Sequence, residues 1–223
     1  MLKGKGILSD FQKAFLQFFA NLPDQERFYL TGGTALAEYY LGHRRSYDLD
    51  LFTSEANLIL PFSYRVEQVV QDAGLQVNIV RRFASFVEFQ VRQGENALKI
   101  DLALDSPFRF APVELGDAGV MVNDFQDIRA DKILAFFGRA EPRDAIDLYF
   151  FLQNTKFDDL AEFARQKDPG FDLYWFAVAL NRTAKFPDEI ERWPVMMLVD
   201  FDPVALKRSF QNLAMQILAD HTR

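Results

Sequence analysis

The sequence of 223 residues contains no cysteine and only two histidines, His43 and His221. Without cysteine the chain has no disulfide, no zinc ribbon and no thiol nucleophile, and two histidines disfavour a histidine-rich metal site or a Ser–His triad. We therefore expect any bound metal ion to be held by oxygen ligands, which are the ligands that Mg²⁺ and Mn²⁺ prefer.

The sequence also lacks an apolar run of the roughly 20 residues that a transmembrane helix needs. Residues 1–6 lack the apolar stretch that follows the charged start of a signal peptide, so we expect a cytoplasmic protein with no membrane contact. Lys and Arg number 25 against 32 Asp and Glu, which gives a formal net charge of −7. This charge disfavours broad, non-specific binding of nucleic acid, although Arg81, Arg82 and Arg92 are candidates for a local basic track.

Hydrophobic residues make up 49% of the chain and charged residues 26%, the proportions of folded globular proteins. A capping box formed by Ser9 and Gln12 begins a helix with an apolar stripe. Further helical stretches are expected at 35–41 and 62–73. Short strand patterns alternate with them and cover residues 28–30, 47–52, 75–82, 86–92, 97–104 and 120–122. The first half of the chain therefore predicts a sheet with flanking helices.

From residue 123 onward the sequence contains helical periods only. We expect helices over residues 124–139, 142–152, 158–166, 171–182 and 203–220. Pro142 suits the first turn of its helix, and Asp202 is the expected N-cap of the last one. The change of pattern predicts an α/β half, residues 1–122, and an α-helical half, residues 123–223, with a ligand cleft between them.

The most informative stretch is the strand pattern in which Asp48 and Asp50 alternate with Leu49 and Leu51. Residues two apart in a strand point to the same side, so the carboxylates share one face and the leucines share the core face. Two neighbouring carboxylates repel each other unless a cation lies between them. We therefore expect Mg²⁺ or Mn²⁺ at this strand, with water and substrate phosphates as the remaining ligands.

A glycine turn, Gly32-Gly33-Thr34, lies between the first strand and the next helix. Glycine lets the backbone approach a ligand closely, and a helix N-terminus presents unpaired N–H groups to an anion. The turn is therefore a candidate phosphate-binding site. The alternative is that the glycines serve only tight packing between strand and helix.

A third acid, Asp101, occurs in the otherwise apolar strand pattern of Lys99–Ala103. A buried and unpaired charge is costly, so Asp101 is explained if its strand lies beside that of Asp48 and Asp50. Three acids together are able to hold two metal ions roughly 3.5 to 4 Å apart for phosphoryl transfer. The alternative is an ordinary ion pair of Asp101 with Lys99 or Arg92.

Together these motifs resemble those of the DNA polymerase β-like nucleotidyltransferase superfamily, and more closely those of AbiEii/AbiGii-type nucleotidyltransferase toxins of bacterial toxin–antitoxin and abortive-infection systems. The resemblance covers about residues 28–150 and rests on residues 29–36, 42–52, 127–133 and 143–148. It implies an α+β fold in which a polymerase β-like core, a mixed sheet with flanking helices over residues 1–122, precedes an α-helical domain, 123–223, that closes the active-site cleft.

The resemblance also implies roles for individual residues. Asp48 and Asp50 bind the metal ions, Asp101 joins them and helps activate the acceptor hydroxyl, and Lys132 contacts the nucleotide. The expected partners are an NTP, an RNA acceptor such as tRNA, and a cognate antitoxin protein. For Lys132 the alternative is a lysine that faces solvent, the commonest fate of this residue type.

Several neighbouring residues are further candidates. Arg44 and Ser46 directly precede the acidic strand, where an arginine neutralises a triphosphate or orients an RNA backbone, with a solvated surface as the alternative. In the helical half the second-tier candidates are Arg143, Asp144 and Asp147; for Asp144 and Asp147 the alternative to a reactive role is that they brace the cleft. Arg143 and Asp147 also have the spacing of an ordinary helix ion pair.

The main hypothesis is a metal-dependent nucleotidyltransferase that moves NMP from an NTP to an acceptor hydroxyl and releases pyrophosphate. A nucleotide-sugar glycosyltransferase would use the Asp48–Asp50 pair but would leave the glycine turn unexplained. A catalytically silent module that binds a nucleotide or a partner protein is the third hypothesis.

Overall fold

The computed structural model describes residues 1–221 of the chain. The chain divides into two compact units, Met1–Phe125 and Gln126–Arg223. The first unit contains all seven β-strands of the described residues, and the second consists of helices joined by loops. Within the described residues, no helix is both long enough and apolar enough to cross a membrane.

The first unit is built around a mixed sheet with the strand order β3-β4-β5-β2-β1-β7-β6. Its strands are β1 (Tyr29–Thr31), β2 (Leu49–Thr53), β3 (Gln76–Phe83), β4 (Phe86–Gln93), β5 (Asn96–Leu104), β6 (Glu114–Leu115) and β7 (Met121–Val122). Its helices are α1 (Asp10–Phe19), α2 (Gly32–Ala35), which continues as a π-helical segment (Leu36–Leu41), and α3 (Ile59–Asp72); a 3₁₀ turn covers Gln25–Arg27.

The strand pairing is antiparallel for β1 with β2, for β3 with β4, for β4 with β5 and for β6 with β7. It is parallel for β2 with β5 and for β1 with β7. The expected strands of the first half are present, with ends displaced by one or two residues. The short strand β6 has no signal in the sequence, because two residues are too few to show an alternation of apolar and polar side chains.

The capping box predicted for the first helix is confirmed. The Ser9 backbone N–H donates to Gln12 Oε1 over 2.9 Å, and the Gln12 N–H donates to Ser9 Oγ over 3.2 Å. These two bonds satisfy backbone donors that have no partner inside the helix, and so they fix its first residue.

The core of the first unit lies on one face of the sheet. Leu49, Leu51 and Ile100 point to this face and are fully buried, and α1 and α3 pack against it. Among the buried aromatic rings are those of Phe28 and Phe62, whose centroids lie 4.2 Å apart. The leucines that flank the predicted metal ligands thus lie in the core, and the alternate residues occupy the opposite face.

The second unit contains α4 (Phe125–Arg139, which begins one residue before the division), α5 (Pro142–Leu152), α6 (Phe157–Lys167), α7 (Leu173–Arg182) and α8 (Pro203–His221). Short 3₁₀ turns cover Thr183–Lys185 and Ile190–Arg192. Pro142 lies in the first turn of α5, as its sequence predicts. Asp202 accepts a hydrogen bond from the Val204 N–H at the start of α8 over 2.8 Å.

Candidate active site

One register row across the sheet carries the predicted acids. Thr31 of β1 pairs with Asp50 of β2, Asp50 pairs with Asp101 of β5, Asp101 pairs with Glu88 of β4, and Glu88 pairs with Arg81 of β3. Directly paired residues in a sheet share a face. Asp101 therefore lies on the same side as Asp50, opposite the buried core.

Asp48 precedes the first residue of β2 and is half-buried. Its charge raises the pKa of Asp101, so the two carboxylates are near each other. The three acids that the sequence singled out thus come together at the start of β2 and on β5.

The glycine turn lies against these acids. Gly32 has a φ of +69°, and a Cβ at this position would overlap the Asp50 carboxylate. Residue 32 is therefore glycine for two reasons, because the left-handed backbone disfavours a side chain and because Asp50 occupies the space. The turn and the acidic strand form one structure.

Gly33 has close neighbours as well. A Cβ here would lie 2.7 Å from Ser46 Oγ and 3.1 Å from Arg44 Nη2. The structure thus brings Arg44 and Ser46 to the glycine turn, and Arg44 is buried rather than solvated. Its Nη1 donates to the Arg45 carbonyl oxygen over 3.1 Å.

Two further contacts fix this segment. Gln12 Nε2 donates to the Ser46 carbonyl oxygen over 3.0 Å, so the capping residue of α1 also holds the segment before β2. Thr34 is buried, and its hydroxyl donates to the Asp48 carbonyl oxygen. The Thr34 side chain therefore ties the helix after the glycine turn to the acidic strand.

Lys99 and Asp101 form an ion pair, with 2.6 Å between Nζ and Oδ2. Burial raises the pKa of Asp101, the Lys99 hydrogen bond and charge lower it, and the charges of Glu88 and Asp48 raise it again, so that the pKa lies above its usual value. The Lys99 pKa is also raised: burial lowers it, but the Asp101 hydrogen bond and the charges of Asp101, Asp48 and Glu88 outweigh that effect.

The sequence offered two interpretations of Asp101, an ion pair with Lys99 and a position beside the other two acids. The structure shows both: Asp101 pairs with Lys99, and it also lies beside Asp50 and Asp48. Its second oxygen, Oδ1, is buried and has no hydrogen-bond partner among the described residues. A buried carboxylate oxygen without a donor is costly, and it is an available ligand for a cation.

The donor set fits a divalent cation that shares its ligands with a substrate. Asp48, Asp50 and Asp101 offer only carboxylate oxygens, which Mg²⁺ and Mn²⁺ prefer. Within the described part of the chain, no three acidic or histidine side chains are close enough to hold an ion by themselves. Mg²⁺ in phosphoryl-transfer sites commonly has one or two carboxylates, with water and phosphate oxygens completing its shell.

In the second unit, Lys132 is buried and belongs to an ion-pair network. Its Nζ lies 2.9 Å from Asp147 Oδ2 and 3.6 Å from Asp144 Oδ1. Arg139 holds Asp144 with two hydrogen bonds of 2.6 and 3.0 Å. The alternative of a solvent-facing Lys132 is therefore wrong.

The expected basic track of three arginines is not formed. Arg82 pairs with Glu67 and lies over the Tyr64 ring at 4.1 Å, so it points toward α3. Arg81 lies on the acidic face and pairs with Glu88 at 3.3 Å. The two residues are adjacent in the strand and therefore point to opposite faces.

Sequence reasoning missed Glu88 as part of the acidic row. Glu88 lies between Val87 and Phe89 in the sequence of β4. Both of these neighbours are in the core, so alternation places the Glu88 side chain, which is also buried, on the opposite face of the sheet. The charged residue Glu88 between two apolar strand residues was the sequence signal that could have placed it on this face. Its pairing with Asp101 depends on the register of β4 and β5, which a single sequence does not specify.

Comparisons with known proteins agree with this geometry. One family profile, that of the nucleotidyl transferase AbiEii toxin of type IV toxin–antitoxin systems, matches residues 14–194. A search of curated proteins finds no significant match. The similar solved structures include a Helicobacter pylori protein provisionally assigned as a nucleotidyltransferase, with a TM-score of 0.64 and 19% identity over 94% of this chain and 96% of that chain.

Two further solved structures are similar over most of the chain. JHP933 from Helicobacter pylori has a TM-score of 0.58 and 19% identity over 94% of this chain and 93% of that chain. MenT4, a nucleotidyltransferase toxin from Mycobacterium tuberculosis H37Rv, has a TM-score of 0.58 and 18% identity over 93% of this chain and 84% of that chain. At these identities the likeness shows the fold, and the predicted α+β nucleotidyltransferase fold is confirmed.

The family match favours nucleotidyl transfer over the nucleotide-sugar glycosyltransferase hypothesis. It spans most of the chain and includes the glycine turn and all three acids of the sheet. The chain belongs to the AbiEii family of nucleotidyl transferase toxins from type IV toxin–antitoxin systems.

Proposed function

We propose that the protein is a divalent-cation-dependent nucleotidyltransferase that transfers NMP from an NTP to an acceptor hydroxyl. The observation that carries this proposal is that Asp50 and Asp101 are register partners on one sheet face, with Asp48 near Asp101 and the Asp50 carboxylate against Gly32. Acids next to a glycine turn provide both a cation site and a phosphate site, which nucleotidyl transfer requires.

The triphosphate binds at the Gly32-Gly33 turn. The two glycines have no side chains of their own, and the Asp50 carboxylate and Ser46 Oγ lie in the space that a Cβ would take there. Arg44 and Ser46, the close neighbours of Gly33, supply a positive charge and a hydroxyl at the same place. Thr34 contributes by holding the turn to β2 through the Asp48 carbonyl oxygen.

Asp48 and Asp50 would hold Mg²⁺ or Mn²⁺, with the unbonded Oδ1 of Asp101 as a further ligand. The bound cation supplies neutralisation of the phosphate charge and orientation of the reacting groups. The carboxylates of the acidic row repel one another, and this repulsion favours the binding of a cation over an empty site.

Asp101 acts as the general base. Asp101 is the register partner of Asp50 on the same sheet face, so its carboxylate lies next to the proposed cation site. It takes the proton of the acceptor hydroxyl while the acceptor oxygen forms a bond to the α-phosphorus. The bond from the α-phosphorus to the bridging oxygen breaks, and pyrophosphate leaves.

The acceptor is proposed to be an RNA, tRNA among them, and a cognate antitoxin to be the restraining partner. The family description, which names a toxin of a toxin–antitoxin system, supports the antitoxin. The nucleotide contact that the resemblance gives to Lys132 stays a prediction, as do the second-tier roles of Arg143, Asp144 and Asp147.

The test is a labelling experiment. The purified protein is incubated with each α-phosphate-labelled NTP, with Mg²⁺ or Mn²⁺, and with total cellular RNA, and the species that gains label is identified. Asp50→Ala removes a carboxylate from the cation site, so we expect transfer to fall by roughly 10³-fold or more, with an unchanged circular dichroism spectrum.

The matched control is Asp72→Asn, which removes an exposed acid at the end of α3 and should leave transfer unchanged. An active Asp50→Ala variant would contradict the proposal. Calorimetric binding of Mg–NTP by the wild-type protein, with no product on any RNA, protein or small molecule, would instead support the silent-module hypothesis.

A further inference from the structure

An open groove of about 340 Å³ lies beside the acids on the same face of the sheet. Its lining includes Asp48 and Tyr47 before β2, Gln90 and Arg92 of β4, and Lys99 of β5. Gln90 pairs with Lys99, two residues before Asp101 in the same strand, so the groove runs along β4 and β5 directly from the acidic row.

Arg92 differs from the other two arginines of this hairpin. Arg81 is paired with Glu88, and Arg82 is paired with Glu67. The Arg92 side chain is exposed and has no hydrogen bond or ion pair within residues 1–221. Its register partners are Ala97 in β5 and Gln76 in β3, so neither cross-strand neighbour offers a carboxylate to the guanidinium.

The groove and the glycine turn lie on opposite sides of the acids. The strand order is β4-β5-β2-β1, and Gly32 directly follows β1, whereas Arg92 belongs to β4. Asp50 of β2 and Asp101 of β5 lie between the two. In phosphoryl transfer the attacking and leaving oxygens are roughly in line on opposite sides of the phosphorus. If pyrophosphate leaves on the β1 side, the acceptor approaches from the side of the groove.

We propose that this groove is the acceptor subsite, that its ligand carries a phosphate close to the reacting hydroxyl, and that Arg92 binds that phosphate. The inference rests on the proposed nucleotidyl transfer and adds the side of approach and a specificity residue. Phosphate is the chemistry that suits the site, because a guanidinium offers a planar fork of donors to phosphate oxygens.

The charge of the surroundings strengthens this assignment. The groove is lined by Asp48 and lies along β5 next to Asp101, in a chain of net charge −7, and an anionic acceptor is repelled there unless a cation compensates. Lys99 is committed to Asp101, so Arg92 is the cation of the groove that is available for a ligand. A phosphorylated acceptor has two sources: the end of a polynucleotide or a small phosphorylated metabolite.

The test compares Arg92→Gln, Arg92→Lys and the wild-type enzyme in steady-state transfer, with total RNA and with a mixture of nucleoside monophosphates as separate acceptors. We expect Arg92→Gln to raise the KM for the acceptor roughly tenfold, because one charge-assisted contact is lost, and to change kcat less than twofold. Arg92→Lys should recover part of the loss. The acceptor whose KM responds identifies the source of the phosphate.

Two measurements separate this inference from the proposed function. The Kd of Mg–NTP should be the same in Arg92→Gln as in the wild type, because the triphosphate lies on the other side of the acids. Arg65→Gln, which removes an exposed arginine from α3, is the control for net charge and should change neither constant. An unchanged acceptor KM in an active Arg92→Gln enzyme would overturn the acceptor subsite alone.

A wild-type protein that transfers no nucleotide would sink the proposed function, and the subsite is then tested by binding. The probes are a fluorescein-labelled single-stranded oligoribonucleotide, followed by anisotropy at several salt concentrations, and a nucleoside monophosphate, followed by calorimetry. Weaker binding of either probe by Arg92→Gln supports the subsite, with a salt slope for RNA lower by about 0.7. Equal binding of both probes by the two proteins rejects it.

Discussion

The acids of the sheet and the acids of the helical unit are held in opposite ways. In the helical unit, Asp127 and Asp144 are fully buried, and each has a cation as a direct neighbour, from Lys167 and Arg139. In the sheet, Asp101 pairs with Lys99 but also has the acids Glu88 and Asp48 as neighbours, and one of its oxygens has no hydrogen-bond partner within the described residues.

Stability explains the first arrangement and not the second. A direct cationic partner offsets part of the cost of burying a carboxylate, whereas Lys99 in the sheet serves Asp101, Asp48 and Glu88 together, and these carboxylates repel one another. Acids with a raised pKa are more frequent at functional sites than elsewhere, and this supports the proposal that the sheet acids form the reactive site. The helical acids are instead the means by which lysines and arginines are held in place.

The largest effect on stability is expected from Lys132→Met. Lys132 lies in a buried network with Asp147 and Asp144, and removal of one partner from a buried ion pair costs roughly 3–5 kcal/mol. Urea denaturation measures this loss. The control is Arg143→Gln, because the pair of Arg143 with Glu141 is more than 40% exposed and is worth about 0–1 kcal/mol.

This experiment also tests whether the helical acids differ from the sheet acids in having a structural role. If Lys132→Met destabilises the protein no more than Arg143→Gln does but abolishes transfer, then the helical acids do not hold Lys132 for structural reasons. Lys132 would in that case belong with the sheet acids as a group kept for reaction.

A smaller effect on stability is expected from Gly32→Ala. The φ of +69° costs a side chain roughly 1–2 kcal/mol, and the new Cβ also displaces the Asp50 carboxylate. We therefore expect transfer to fall at least roughly tenfold, because small displacements of catalytic groups are costly. Label transfer and urea denaturation measure the two effects.

Gly74→Ala is a matched control for the cost of a side chain in the left-handed backbone conformation. Gly74 has a φ of +74°, and a Cβ there meets no atom within 4 Å. It should lose a similar amount of stability and keep full activity. Equal activity of the two variants would show that the contact of Gly32 with Asp50 is not needed for reaction.

The smallest effect on stability is expected from Asp101→Asn, which should stabilise the protein rather than destabilise it. The folded protein raises the pKa of Asp101, so the ionised carboxylate is less favourable in the fold than in the unfolded chain. Above that pKa the charge lowers stability. Asp101→Asn should therefore raise Tm by roughly 1–3 °C at pH 7, while transfer is lost.

The pH dependence tests the cause. As the pH falls through the raised pKa, Asp101 becomes protonated in the fold, and the Tm advantage of the asparagine variant should shrink. Below the unfolded pKa of about 3.9 it should vanish. A Tm that is lower in Asp101→Asn at pH 7 would show that the Lys99 ion pair outweighs the burial of the acid.

Much of the fold was predictable because its signals are local. Ser9 and Gln12 predict the start of α1, and Pro142 predicts the first turn of α5. The alternation of apolar and polar residues predicts β2 and β5. Pairing is not local. The contact of Glu88 with Asp101 depends on strand register, so the sequence could not assign it. The opposite faces of Arg81 and Arg82 follow from alternation within one strand.

The sequence by itself determined the chemical repertoire of the site: oxygen ligands only, two acids on one strand face and a glycine turn before them. These follow from residue type and from the period of two in a strand. The tertiary structure decided which groups meet. It placed Asp101 beside Asp50, set the Asp50 carboxylate against Gly32, and left Arg92 uncommitted in the groove, because strand order and register join residues that are distant in the chain.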